Sequence, residues 1–300
     1  MFKIEKGVRQ GDPMSPKIFI AVLEHIFRSL KWENVVLKIH GQFLSHLRFA
    51  DDIVLFSEDP KELQYMIQTL NEQSIKIGLE INMSKTKLMT NRTECKIIVN
   101  SSLLEWVKEY VYLGHQISMN DCTNKEIDRR IKNTWSKYWA MKEIFKSKLA
   151  TKIKTKVMNA CLLPCLTYAC QTWPLSKSSL YKLKICQRAI ERSYAGYKLK
   201  DRISNTQIRR QTKAADGVRH ALKMKWKWAG HVQRTKDDRW TKIVTNWYPI
   251  HKKRRKGRPR KRWDDDITNL VGKTWSRLAR DRIGWQNMEE AFTAIGGPYN

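Results

Sequence analysis

Basic charge divides this chain into two unlike parts, and that division limits what it can fold into more than any other feature of the sequence. Residues 1–120 carry 15 Lys and Arg against 14 Asp and Glu. Residues 121–300 carry 43 against 15, so nearly all of the net charge of +29 lies in the second part. A compact body so unbalanced repels itself unless a counter-charge is bound. Ten of the twelve Trp fall in the same part: Trp135, Trp139, Trp173, Trp226, Trp228, Trp240, Trp247, Trp263, Trp275 and Trp285. Lys and Arg neutralise phosphates and release counterions, and indole faces stack on bases, so the pattern points to a polyanion partner. Trp at helical spacing is more often core, and Trp135 and Trp139 are expected there.

Other classes are excluded. A chain of 300 residues with 41% hydrophobic side chains can build two domains and is not wholly disordered. Six Cys without a tight pairing pattern do not make a disulfide scaffold. The longest apolar run, Ile18 to Leu23, stops at Glu24, well short of the roughly 20 residues a membrane-spanning helix needs. The start, MFKIEKGVRQGDP, has no secretory pattern, so free thiols in a reducing compartment are expected.

Local signals sketch an α+β first part. Ser15-Pro16 reads as a helix start, and Phe19, Val22, Leu23, Ile26, Phe27 and Leu30 form one apolar stripe behind it. Gln42 to Phe49 and Ile53 to Phe56 read as a hairpin joined by Ala50-Asp51-Asp52. Asp59-Pro60-Lys61-Glu62 signals a second helix with a capping box, and Gly78 is placed to end it. Strands are expected at Leu79–Met83, Lys87–Thr90, Lys96–Val99 and Val111–Leu113, in one antiparallel sheet. Beyond residue 121 the period is helical. Ile127, Ile131, Trp135, Tyr138 and Ile144 line a helix of roughly 25 residues. Ile153, Val157, Ala160 and Cys161 line another, interrupted by Pro164, and Leu180, Leu183, Ile190 and Tyr194 a third, with Lys182, Lys184, Arg188 and Arg192 on its opposite face. Past residue 200 short helices between basic loops are expected.

Two places invite chemistry. Asp51 and Asp52 are adjacent carboxylates at the joint of two apolar strands, where they repel each other and where Asn-Gly would make a better turn. A divalent cation such as Mg²⁺ would remove the repulsion; a solvent-exposed hairpin tip that merely tolerates Asp is the other reading. The run His251 to Arg262, HKKRRKGRPRKR, holds nine Lys and Arg in twelve residues, and Gly257 and Pro259 make a continuous helix improbable. Lys252, Lys253, Arg254, Arg255, Arg258 and Arg260 there are candidates for nucleic-acid backbone contacts; a nuclear-import signal and a solvated linker are the alternatives.

Taken together, GVRQGDPMSP (7–16), FADD (49–52), GLEIN (78–82) with Lys85-Thr86-Lys87, and Tyr112-Leu113-Gly114 resemble the reverse transcriptases of LINE-type (non-LTR) retrotransposons. The resemblance continues through EIDRRI (126–131), Leu163-Pro164 to Tyr168, Gln171-Thr172-Trp173, Trp228 to Val232 and Gly257 to Trp263. It implies a polymerase palm over 1–118, a helical thumb-like region over 119–200 and a basic, Trp-rich, mainly helical region over 201–300. It also implies that Asp51 and Asp52 hold catalytic Mg²⁺ or Mn²⁺, and that Gln10 and Gly11 line the nucleotide and template. Lys85 would stand near the triphosphate as a proton donor to pyrophosphate, and Tyr112, Leu113 and Gly114 would grip the primer. The reaction implied is attack of a primer 3′-hydroxyl on the α-phosphate of a deoxynucleoside triphosphate, directed by an RNA template.

The family has a further catalytic Asp on a strand ahead of the GVRQGDP loop, and this sequence starts six residues before that loop. The expectation is therefore an N-terminally truncated enzyme, inactive as an isolated chain. The alternative is a non-catalytic, basic nucleic-acid-binding remnant. No membrane partner is expected. Zinc is not expected either: Cys161, Cys165 and Cys170 together with a His could suggest a site, but no CxxC is present. Localisation leans to the nucleus, with the cytoplasm as the alternative.

Overall fold

Residues 11–30, 32, 37–237, 239–247 and 261–294 are described by the structure, a computed structural model, and the chain divides into two units, Met1–Met119 and Asn120–Asn300. In the first unit, helix α1 spans Ser15–Ser29. Ser15 is not its cap. Met14 holds that position without a side-chain bond, and the Asp12 carboxylate accepts the Met14 N–H at 2.9 Å, so the turn before the helix is built by Asp12. Short strands β1 (Leu37–Ile39), β2 (Gln42–Leu44), β3 (His46–Phe49) and β4 (Asp52–Leu55) follow, then helix α2 (Pro60–Lys76). Asp59 caps α2, accepting from the Lys61 and Glu62 N–H groups. The capping box is not completed: Ser57 takes the Asp59 N–H and donates its hydroxyl to Glu62. Beyond Gly78, Leu79 N–H returns to the Ser74 carbonyl and closes the helix.

Strands β5 (Lys87–Leu88), β6 (Ile98–Val99), β7 (Ser102–Leu103), β8 (Glu105–Trp106), β9 (Glu109–Tyr112) and β10 (His115–Ser118) complete the unit. The single antiparallel sheet expected from the sequence is not what forms. The strands make two-stranded ladders, β1–β2, β3–β4, β6–β7 and β9–β10 antiparallel and β5–β8 parallel. Leu79–Met83 is irregular, and the run Gln42–Phe49 breaks at Ser45, where the chain leaves β1 and turns its carbonyl to Phe56. Isolated ladders are marginal in water, so helices must cover them. Leu23, Ile26 and Phe27 of α1 do so with Trp32 and with Met66 and Leu70 of α2, against Ile53 and Leu55. Ile67 joins Leu88, Ile97, Val99 and Leu104 in a second small core.

The second unit is helical among its described residues. It runs α3 (Cys122–Ala140), α4 (Lys142–Phe145), α5 (Thr151–Val157), α6 (Leu163–Leu166), α7 (Lys177–Tyr194), α8 (Asn205–Thr212), α9 (Gly217–Arg234), α10 (Trp240–Asn246), α11 (Asp265–Val271), α12 (Trp275–Leu278), α13 (Arg282–Asn287) and α14 (Glu289–Ala294). The long first helix is divided at Met141 into α3 and α4. Pro164 has no N–H to return to the preceding turn, and a π-helical stretch at Met158–Leu162 takes up the mismatch between α5 and α6.

The core of this unit gathers Ile127, Tyr138, Phe145, Leu162, Trp173, Leu183, Ile190, Tyr194, Trp226, Trp285 and Phe292. Trp226 of α9 and Trp285 of α13 lie face to face, 3.8 Å between ring centroids and 4° from parallel. Each indole N–H donates to the other's backbone carbonyl, at 2.8 and 3.0 Å. A Cβ at Gly230 would stand 2.7 Å from the Trp285 ring, so this clasp requires glycine one turn along α9.

Buried acids fasten the helices. Glu191 of α7, fully buried, accepts from Gln187, Arg188, Arg209 and Thr212, and Arg188 also reaches Asp216 at 2.9 Å. Lys182 pairs with Asp128, and Arg192 reaches Asn205 and the Ile203 carbonyl. Lys182, Arg188 and Arg192, expected on a separate face of α7, are therefore taken up by neighbouring segments, and Tyr181 and Ile185 are exposed instead. Removing one member of a buried ion pair strands its partner. Glu191→Gln should lower the urea-unfolding free energy of the helical unit by about 3 kcal/mol, read by far-ultraviolet circular dichroism.

Candidate active site

Strands β3 and β4 pair Phe49 with Asp52, Arg48 with Ile53, Leu47 with Val54 and His46 with Leu55. The connection is only Ala50-Asp51, and Asp52 is the first residue of β4. Ala50 has φ of 51°, a left-handed conformation that costs a residue with a Cβ about 1 kcal/mol. Strain of this kind collects where a turn has a task besides turning. The turn presents Asp51 and Asp52 side by side, both exposed.

Alternation along the ribbon gives its two faces. His46, Arg48, Ile53 and Leu55 face α1 and α2; Leu47, Phe49, Asp52 and Val54 face away. The outward face holds the larger apolar side chains, with Phe49 63% exposed. The inward face is polar at the β3 edge. The His46 ring lies 4.4 Å from the Phe27 ring, and the Arg48 guanidinium lies 4.4 Å over that same ring. Arg48 donates to Glu24 of α1 at 2.8 Å, and Arg28 donates to the other Glu24 oxygen at 3.0 Å. The hydrogen bond from Arg28 first, and then the hydrogen bond and charge of Arg48, hold the Glu24 carboxyl below the usual range. His46, bonded to Ser45 Oγ at 2.8 Å, is pushed down to about 4 by burial and by the Arg48 charge, with Glu24 acting the other way.

A second tight hairpin joins β9 to β10. Leu113 and Gly114 both have positive φ, 48° and 72°, the pattern of a two-residue turn matched to strand twist. Tyr112 precedes this turn. Its phenol is raised above the ordinary range by burial first and then by the Asp52 carboxylate, so the structure brings Tyr112 and Asp52 within electrostatic reach of each other.

Lys85 is exposed in a turn where Asn82 Oδ1 accepts the Lys85 N–H, and it forms no ion pair among the described residues. Gly11 is described and exposed, with φ of 86° and open space where a Cβ would be. Gln10, Lys252, Lys253, Arg254, Arg255, Arg258 and Arg260 lie outside the described residues. Elsewhere the helical unit shows cations that the charge count alone did not single out. Lys132, Lys137, Lys148, Lys152 and Lys156 of the α3–α5 segment are exposed and make no ion pair among the described residues. Trp135 is half-buried against the core, but Trp139 is 53% exposed, stacked on Trp135 with the Lys146 amine 6.0 Å over its ring. The expectation of a core Trp139 is thus corrected: α3 ends beyond the core's edge, and its last turn projects the ring outward. Among the described residues no group of three His, Cys, Asp or Glu is close enough to hold a metal ion, and no helix is long and apolar enough to cross a membrane.

Residues 1–117 match the family "Reverse transcriptase (RNA-dependent DNA polymerase)". The chain is 34% identical to a transposon-derived protein of Caenorhabditis elegans over 83% of this chain and 96% of that protein. It is 40% identical to the Retrovirus-related Pol polyprotein from type-2 retrotransposable element R2DM of Drosophila melanogaster, over 27% of this chain and 8% of the polyprotein. Identity to the polyprotein from the type-1 element R2 of Nasonia vitripennis is 34%, over 37% and 11%. The chain belongs to the reverse transcriptases of LINE-type, non-LTR retrotransposons, a family of RNA-directed DNA polymerases. It spans nearly all of the nematode relative but about a tenth of the two Pol polyproteins.

His46 is half-buried and neutral at physiological pH, whereas in the unfolded chain it takes a proton near its ordinary value of 6.5. A folded-state value below the unfolded one means that stability present above pH 6.5 is lost as pH falls toward 4. The melting temperature of the first unit should therefore fall across that window, and His46→Gln should flatten the fall.

Proposed function

We propose that the Ala50–Asp52 turn is the metal-holding element of a polymerase palm, and that the chain acts on an RNA template, a DNA primer and deoxynucleoside triphosphates. The observation that carries this reading is the pair of adjacent exposed carboxylates on a strained two-residue turn, with Tyr112 within electrostatic reach of Asp52, inside the region that matches the reverse transcriptase family. Mg²⁺ is ordinarily bound by one or two carboxylates together with substrate phosphates, and Asp51 and Asp52 fit that donor set; Mn²⁺ accepts the same oxygens. The bound ion would supply charge neutralisation at the α-phosphate and at the primer oxygen. The side chains of the protein do the rest. Asp51 and Asp52 orient the ion from a turn fixed on α1. Tyr112, Leu113 and Gly114 position the primer end beside Asp52. Gly11 lets the backbone approach the nucleotide and template, with Gln10 beside it. Lys85, exposed and unpaired, donates a proton to the departing pyrophosphate.

The described residues supply two acids to this turn and no third. We infer that primer extension requires a carboxylate from outside them and that the 300-residue chain alone is inactive. The assay is extension of oligo(dT) on poly(rA) with Mg²⁺. The chain alone should give no product. Addition of a fingers-and-palm segment from a family relative should give extension that Asp51→Asn lowers by about a hundredfold or more. Extension by the unaided chain, sensitive to Asp51→Asn, would sink the inference of incompleteness. Extension indifferent to Asp51→Asn would sink the site itself.

In this reading residues 119–200 are thumb-like, and residues 201–300 add a basic region. The unpaired lysines of the α3–α5 segment and exposed Trp139 support contacts with nucleic acid. The basic run 251–262 supports a nuclear address. Absence of a third acid among the described residues, set beside this charge, favours a second reading as a non-catalytic nucleic-acid-binding remnant, and the extension assay separates the two. Binding of the full chain to duplex DNA should weaken with KCl, log K falling against log salt with a slope of about −0.9 per neutralised phosphate. A flat salt titration would remove the polyanion reading.

A further inference from the structure

We propose that Arg48 is a positioning residue: by gripping Glu24 and covering Phe27, it fixes the Asp51–Asp52 turn at a set place along α1. The inference rests on the reading of that turn as a metal site. The ribbon β3–β4 is only four residues long on each strand. Two-stranded ribbons do not hold their shape unaided. Ile53 and Leu55 bury against the cores on one strand, but Phe49 and Leu47 on the other point outward, so aliphatic burial holds the ribbon on its β4 side, while on β3 the inward contacts are those of His46 and Arg48. Arg48 supplies the opposing hold. It pairs across the ladder with Ile53, one step before the Phe49–Asp52 pair that opens the turn.

Three contacts define the hold. The Arg48 guanidinium donates to Glu24 at 2.8 Å, lies 4.4 Å over the Phe27 ring, and shares that ring with His46. Arg28 fixes the other oxygen of Glu24, so the acceptor is itself oriented. Glu24 and Phe27 lie three apart on one helix and therefore on one face. The same helix begins at Ser15, directly after the Gly11–Pro13 loop. At 1.5 Å per residue, Glu24 stands about 14 Å along the helix from Ser15. Helix α1 thus works as a ruler between the loop that meets the nucleotide and the turn that holds the ion, and Arg48 sets the mark. Lysine cannot replace it, because an ammonium has no planar fork and no flat face to lay on the ring.

The test is a Mn²⁺ titration of the full chain followed by electron paramagnetic resonance of the free ion, with a thermal melt of every variant. Asp51→Asn should remove the site. Arg48→Met and Glu24→Gln should each weaken Mn²⁺ binding by about tenfold, the scale on which supporting residues act on metal ligands, with melting unchanged because the ion pair is partly exposed. The double variant should be no worse than either single one, since both remove the same hold. Arg48→Lys should recover less than half of the lost affinity on a logarithmic scale. If Asp51→Asn leaves Mn²⁺ binding intact, the metal reading fails and this inference with it. If Asp51→Asn removes the site while Glu24→Gln binds like the parent, the metal reading stands and the positioning role is overturned. Even where Arg48→Met melts early, Glu24→Gln still decides the matter, because it leaves the Phe27 contact in place.

Discussion

Scarcity of acid governs the helical unit. With 43 basic side chains against 15 acidic ones beyond residue 120, cations outnumber carboxylates almost three to one. The fold draws several of them inward and makes each serve more than one cation. Glu191 holds Arg188 and Arg209, Asp216 takes the same two arginines, Glu126 holds Arg129 and Arg130, and Asp266 holds Lys225 and Lys261. The Glu126 cluster lies within α3, but those of Glu191, Asp216 and Asp266 join separate segments, so the helices are bound together by the groups in shortest supply. Such clusters cost desolvation and contribute more to uniqueness of packing than to net stability. Their consequence lies outside: acids spent in the interior are not available to neutralise the lysines of the α3–α5 segment. The surface potential that suits a polyanion is thus a by-product of how the interior is fastened.

Within that unit the indole pair Trp226–Trp285 does for the C-terminal helices what Glu191 does for α7 to α9. A stacked pair with reciprocal N–H to carbonyl bonds satisfies both polar atoms without water and brings the rings into near-parallel contact. Beside it, Lys225 is fully buried and gives its ammonium to both Asp266 oxygens and to the Trp173 carbonyl. Trp263 donates to the Gln171 carbonyl, and Lys261 reaches the Leu175 carbonyl. The segment that resumes at residue 261 is therefore anchored to the Gln171–Leu175 stretch, and many of the Trp that seemed available for base stacking are structural.

The first unit follows a different economy. Its cores are small, its ladders have two strands each, and its turns are tight. Where chemistry is proposed, the backbone is held in conformations that a residue with a Cβ adopts at a cost, Ala50 in one turn and Leu113 in the other. The contacts around Phe27 hold the first of these turns in place. They also explain why a neutral, half-buried imidazole suits this place: it packs on Phe27 and Trp32 beside the guanidinium without adding a second positive charge.

Short-range chemistry was legible in the sequence. The Asp59 cap, the helix stop at Gly78, the interruption at Pro164 and the residue types of the FADD turn depend on neighbours within a few positions, and the motif spacing was enough to place the family. Ser15 misled because Asp12, three positions away, builds the turn instead. The pairing of β5 with β8 and the break at Ser45 depend on partners far along the chain, which no local pattern encodes. The faces of β3 were illegible for a sharper reason. Alternation says only that His46 and Arg48 lie opposite Leu47 and Phe49, and hydrophobicity alone would bury the wrong pair; the Glu24 carboxylate and Phe27 ring waiting on α1 reverse the choice. Likewise the sequence counted the cations of α7, but only the packing of α3 and α8 and the approach of Asp216 decided which would be spent inside. Residue type and local order set what each segment can do. Long-range ion pairs and ring contacts, formed between residues twenty to a hundred positions apart, decided which face did it.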